Sequence, residues 1–195
     1  MHSPQALTLD GTHVRLDPLE SSHHDDLIRA VEDGKLWEST VTVVPSRETM
    51  AAYIDAALAE QIKGRQQPFV IVHKPSSTIV GSTRYLDIDF QHRRREIGAT
   101  WIAASFQRTA VNTEAKFLLL RHAFETLRCI RVAFFTDVLN GRSRAAITRL
   151  GATQEGVLRN HMIMPGGRLR DSACYSIIES EWPSVKQRLL DALSG

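Results

Sequence analysis

The chain has 195 residues, the size of one domain, and compact folding at that size removes roughly 70% of the extended-chain surface, so a core forms without staples. Hydrophobic residues at 43% and charged residues at 24% exclude a mostly disordered chain. Lys and Arg number 24 against 22 Asp and Glu, a balance too even to make nucleic acid or an anionic membrane the expected partner.

Two cysteines, Cys129 and Cys174, cannot build a disulfide framework, and neither has a second Cys or a His at zinc-ligand spacing. No apolar run reaches the ~18 residues of a membrane helix, and the opening residues lack the basic, apolar and small-residue segments of a leader. A reduced cytoplasmic protein without a metal is the expectation, and 1–195 reads as a single domain.

In chain order, Leu7 and Leu9, then Val14 and Leu16, alternate with polar residues on either side of Asp10-Gly11, a short hairpin signal. Ser21 or Ser22 is placed to cap a short helix through Leu27, Ile28 and Val31, ended by Gly34. After an irregular stretch with Trp37, Pro45-Ser46 opens a second helix whose apolar face runs Met50, Tyr53, Ile54, Ala57, Leu58, Ile62. The period then changes to strands over 69–72, 79–90 and 96–103, with a charged hairpin tip at 91–95. Residues 113–127 return to helical period, 131–136 read as a buried strand, and 142–150 as a short helix stopped by Gly151. A hairpin pairs 154–164 with 168–179 around Pro165-Gly166-Gly167, and Val185, Leu189 and Leu193 mark a terminal helix. The expected fold is a single mixed, mostly antiparallel sheet flanked by helices.

The junction Ser105-Phe106-Gln107-Arg108-Thr109-Ala110-Val111-Asn112-Thr113 carries the chain from a strand end into a strong helix through small and polar residues. Backbone N–H groups at such a helix start lack intrahelical partners and lie at the positive end of the dipole, a geometry that suits a phosphate or pyrophosphate. Equally, Asn112 or Thr113 reads as an ordinary helix cap.

With Glu96-Ile97-Gly98 to Trp101, Asn140-Gly141-Arg142-Ser143, Leu150-Gly151-Ala152 and Arg170-Asp171-Ser172 with Tyr175, this junction resembles the GNAT superfamily of acyl-CoA N-acyltransferases, in its RimJ/RimL-like branch. Gln107 matches the first position of that family's loop, Gln/Arg-x-x-Gly-x-Gly/Ala, while Ala110 and Asn112 stand where smaller residues are usual. The resemblance implies splayed central strands that take the pantetheine arm of acetyl-CoA as a false extra strand, on backbone groups of Trp101, Ile102 and Ala103. It further implies that Gln107, Arg108, Thr109, Ala110, Val111, Asn112 and Thr113 surround the pyrophosphate, and that the Asn140 amide reaches the pantetheine, though Asn140 also reads as a turn residue.

The implied activity is direct acetyl transfer from acetyl-CoA, as co-substrate, to a primary amine on a protein N-terminus or small molecule; a homodimer is compatible. An amine of pKa ~10 is mostly protonated at neutral pH, so removing its proton is the larger task. Glu96, at the start of the central strand, is the candidate base, and its removal should hurt most at low pH. It also reads as a solvated acid answering Arg93, Arg94 and Arg95. Asp87 and Asp89 are the reserve. The family's Tyr acid is replaced by Ile147, so Ser143 is the candidate acid, with a helix-cap role as its alternative. His161-Met162 stands where the branch has a Glu, and His161 reads as a bystander. Trp37 and Tyr85 are candidates to line the acceptor site. The rivals are a non-catalytic acyl-CoA sensor and a nucleotide-phosphate binder.

Overall fold

The computed structural model describes residues 7–194, so the first six residues of the segment read above for a leader lie outside it. Eight strands form one sheet in the order β1-β2-β3-β4-β5-β6-β8-β7. They are β1 (Leu9–Asp10), β2 (Val14–Pro18), β3 (Gln67–His73), β4 (Thr78–Asp89), β5 (Arg94–Ile102), β6 (Arg131–Asp137), β7 (Thr153–Ile163) and β8 (Leu169–Ile178). Every pairing is antiparallel except β5 with β6.

Alternation along β3 shows why the sheet is covered on both faces. Phe69 and Ile71 enter one core with α3 (Ala110–Arg121), α4 (Gly141–Leu150) and α5 (Trp182–Ser194). Val70 and Val72 enter a second core with α1 (His24–Glu32) and α2 (Met50–Ile62). A strand buried on both sides reads as an unbroken apolar run, as this one does.

Several local expectations shift. A 3-10 turn, Ser21–His23, precedes α1 with Glu20 at its N-cap position, so neither Ser21 nor Ser22 caps the helix. Helix α2 starts at Met50, after a turn in which the Ser46 N–H donates to Thr49 Oγ1 at 2.8 Å, and Ile62 is 86% exposed, off the buried face. Helix α3 begins three residues earlier than its apolar period suggests and passes into a π-helical turn, His122–Thr126. Arg95, read as part of a solvated tip, is buried with its guanidinium 5.0 Å from the centre of the Tyr85 ring. The N-terminal hairpin is closed by tertiary contact: the buried Glu114 carboxylate on α3 accepts the N–H groups of Thr12, His13 and Val14 at 2.8, 2.7 and 2.6 Å. Gly11 is needed there for space, since a Cβ would lie 2.8 Å from Glu114 Cδ.

The central strands part. β5 pairs with β6 only through Arg94, Arg95 and Glu96, opposite Arg131, Val132 and Ala133. Beyond that point β6 follows β8 as far as Asp137, while β5 follows β4 to Ile102. Between Gly98 and Trp101 β5 carries an extra residue relative to β4, and Ala99 sits at φ +47°, which costs on the order of 1 kcal/mol for a residue with a Cβ. A bulge bends its strand and increases the local twist. Here it swings β5 away from β6 and leaves a fork with Glu96 at the apex.

Candidate active site

Both limbs of the fork run into helix N-termini. After β5 the chain makes a 3-10 turn, Ala104–Phe106, passes Arg108 at φ +62°, and enters α3. Thr109 is the cap: its Oγ1 accepts the Val111 N–H at 3.3 Å and donates to the Phe106 carbonyl at 2.7 Å. That corrects the cap reading of Asn112 and Thr113, which are the third and fourth residues of the helix. Gln107 braces the junction. Its Nε2 donates to the Ile102 carbonyl and its Oε1 accepts from Arg142 Nη1 on α4, both at 2.8 Å. Ala110, Val111 and Asn112 therefore open α3 at the fork mouth, with exposed Arg108 and Arg142 nearby in the chain path.

The strand groups expected to be free are partly engaged. The Ala103 N–H donates to the Val80 carbonyl at 2.8 Å, and the Ile102 carbonyl is held by Gln107. Alternate residues of an antiparallel ladder address the same neighbour. Trp101 and Ala103 thus face β4, and the Ile102 N–H is the group left toward the fork. The Trp101 side chain is buried, its Nε1 donating to Tyr53 OH on α2 at 3.1 Å.

On the other limb, Asn140 caps α4, its Oδ1 accepting the Ser143 N–H at 2.9 Å. The cap reading thus falls to Asn140, whose Nδ2 has no hydrogen-bond partner among the described residues, and Ser143 is the third residue of the helix.

Glu96 lies at the apex, and its carboxylate folds over Gly98, where a Cβ would stand 2.6 Å from Glu96 Oε1. Burial, and then the charge of Asp87, push its carboxyl up to about 7 against the opposing charge of Arg170. It is therefore not a freely solvated strand-end acid. Asp87 and Asp89 are ion-paired with Arg94 at 2.9 and 3.3 Å, and the His92 N–H leads in holding Asp89 below its usual range. Neither has the environment of a general base.

Tyr85 is a correction: it is fully buried, donates to the Leu119 carbonyl at 2.5 Å, and lines no acceptor site. Trp37 lines a cavity of about 340 Å³ between the α1–α2 connection and the β7–β8 turn, with Val44, Met164, Pro165 and Arg168.

Sequence reasoning overlooked the polar strip beyond Glu96. The pairing register puts Glu96, Ala133, Phe135 and Asp137 on one face of the sheet, with Ser172 opposite Asp137. Asp137 is wholly enclosed and ion-paired with Arg168, which also donates to the Thr40 carbonyl at 2.8 Å. Although burial opposes it, Arg168 and the Leu139 N–H hold Asp137 below its ordinary pKa. The available signal was the alternation Arg168, Arg170, Ser172, which places three polar side chains on one face of a strand.

Residues 13–153 match a family model described as an acetyltransferase (GNAT) domain. A Bacillus subtilis (strain 168) protein, YdaF, named for ribosomal N-acetyltransfer, is 34% identical over 109 residues, 56% of this chain. The match spans 58% of that relative's length. Among solved structures, a GCN5-related N-acetyltransferase from Brucella melitensis is 31% identical with a TM-score of 0.87, over 97% of this chain and 86% of that one. RimJ of Mycobacterium smegmatis, solved with CoA-disulfide, is 25% identical with a TM-score of 0.82, over 98% and 97%.

Proposed function

Because the chain belongs to the GNAT acetyltransferase family, we propose that it moves an acetyl group from acetyl-CoA directly to a primary amine, with Glu96 as the general base. One observation carries this reading: the fork between β5 and β6 closes on a carboxyl group held near neutrality. A base with pKa near the working pH combines a useful ionised fraction with enough proton affinity to accept from an ammonium group.

In this reading the pantetheine arm lies in the fork against the Ile102 N–H and the Asn140 amide, and the pyrophosphate meets the first N–H groups of α3. Glu96 takes a proton from the acceptor. The neutral amine attacks the thioester carbonyl, a C–N bond forms, and the C–S bond breaks. The departing thiolate has a solution pKa of ~8.5 and needs little help; the second proton, shed by the nitrogen after attack, goes to that thiolate, and Ser143 is the residue proposed to relay it. The name of the Bacillus subtilis relative supports a ribosomal protein as one carrier of such an amine, with its N-terminus the group proposed, beside small-molecule amines.

A thiol-release assay with acetyl-CoA and a panel of amines tests the reading, and no release with any amine would end it. Binding offers a separate check. Acetyl-CoA is expected to raise Tm by mass action, while ATP at equal concentration does little, because only the former has an arm for the fork. Equal shifts would reassign the site to nucleotide phosphates.

Asn112→Asp tests the helix start. A carboxylate ~6 Å from a phosphate at an effective dielectric of ~20 is repelled by roughly 2–3 kcal/mol before screening. Salt and partial exposure reduce this to ~1–2 kcal/mol, so acetyl-CoA should bind about five- to thirty-fold more weakly. The gap should narrow as ionic strength rises. Unchanged affinity by calorimetric titration would remove Asn112 from the pyrophosphate site.

A further inference from the structure

Arg170 lies on β8, two residues before the wholly buried Ser172, on the face that also carries Glu96 and Asp137. Its Nε donates to Ser172 Oγ at 2.9 Å, which folds the guanidinium back along the strand. Ser172 is held in turn: its Oγ lies 3.0 Å from His161 Nδ1 on β7, and the His161 ring packs 5.7 Å from the Phe135 ring. Since Ser172 Oγ accepts from Arg170, its own proton is available to His161. His161, read from sequence as a bystander, thus fixes the hydroxyl that fixes the arginine.

Among the described residues, the two terminal nitrogens of Arg170 have no hydrogen-bond partner. Asp137, the carboxylate whose charge acts most strongly on Arg170, is engaged elsewhere, paired with Arg168. Arg170 is half-buried, and burial leads in lowering its proton affinity while the charges of Asp137 and Glu96 oppose that. A guanidinium fixed through Nε, with its other nitrogens unused and its charge felt by the acid–base residue Glu96, is arranged to take oxygen acceptors on a second molecule.

We propose that Arg170 is a specificity-determining residue that binds a carbonyl or carboxylate oxygen of the molecule whose amine is acetylated. The inference rests on the acetyl-transfer reading above. It selects acceptors that carry such an oxygen close to the amine, as α-amino amides, peptides and amino acids do, over plain alkylamines and polyamines. Arg168, engaged by Asp137 and the Thr40 carbonyl, is not a substitute.

The test compares alaninamide with sec-butylamine, which differ chiefly in the carboxamide, by kcat/KM at saturating acetyl-CoA. Wild type is expected to favour alaninamide, and Arg170→Met to reduce that preference by about 10- to 100-fold, the usual scale for losing a hydrogen bond to a charged group. Taking the ratio between the two proteins cancels the different basicities of the amines. Arg170→Lys, which keeps the charge but not the planar fork, should recover part of the preference and carries the test if the Met variant does not fold. CoA affinity by calorimetry verifies that each variant is intact.

A uniform fall for both acceptors, with the pH limb of kcat/KM displaced, would show that Arg170 acts only on Glu96 and would overturn the proposal. Equal use of both acceptors by wild type would overturn it as well. Transfer to neither acceptor, nor to any amine of the panel, would overturn the acetyl-transfer reading itself.

Discussion

Glu96→Gln is expected to lower kcat by ~10²–10⁴, the usual contribution of a positioned base, with little change in acetyl-CoA affinity. The pH dependence follows from the apex environment. With its carboxyl pushed up to about 7, Glu96 is protonated and idle at low pH in the wild type too. Wild-type kcat/KM should therefore rise with pH through about 7, and the variant should lose that limb. The deficit is largest above neutrality, which reverses the expectation from amine basicity alone. Stability moves with the opposite sign. The folded state holds this proton more tightly than an unfolded chain with an ordinary Glu, so wild type loses stability relative to Glu96→Gln as pH rises from ~4.3 to about 7. Denaturant unfolding at about pH 5 and about pH 8 reads this directly. Full activity across pH with a confirmed acceptor would make Glu96 structural.

Glu114→Ala is expected to cost about 3–5 kcal/mol. The carboxylate accepts three N–H groups from consecutive residues around the N-terminal turn, and each bond to a charged group contributes ~1.5–3 kcal/mol before water re-solvates the donors. Thr12 is exposed and His13 half-buried, so water recovers part of the loss, whereas the Val14 N–H is buried. A fall in Tm on the order of 10 °C follows for a chain of this size. Glu114→Gln keeps one acceptor oxygen and should lose about half as much. Thermal unfolding of the two variants decides the matter, and a cost below ~1 kcal/mol would mean that water serves these donors as well as the carboxylate does.

The loop and its helix were legible because their signals are local. A small, polar stretch after a strand marks a helix start, and the structure moved the cap only from Asn112 or Thr113 to Thr109. Asp10-Gly11 marked a real hairpin, yet the reason for the glycine was elsewhere: Glu114, a hundred residues on, occupies the space a Cβ would need. Tyr85 shows the converse. Its position on an alternating strand was readable, but which face of β4 meets α3 was not, so a core side chain looked like a site residue.

The sequence by itself determined the element order, the mixed sheet between helix layers, the strand-to-helix junction and the carboxylate at the start of β5. Each depends on periodicity, turn chemistry or capping within a few residues. Only the tertiary structure decided where β5 leaves β6, that the Glu96 carboxyl sits near neutrality, and that Arg170 is aimed along the same face. The physical reason is the range of the forces involved. Proton affinity is set by burial and by surrounding charges, and here those of Asp87 on β4 and Arg170 on β8 act on Glu96 through the sheet and not through adjacency in the chain.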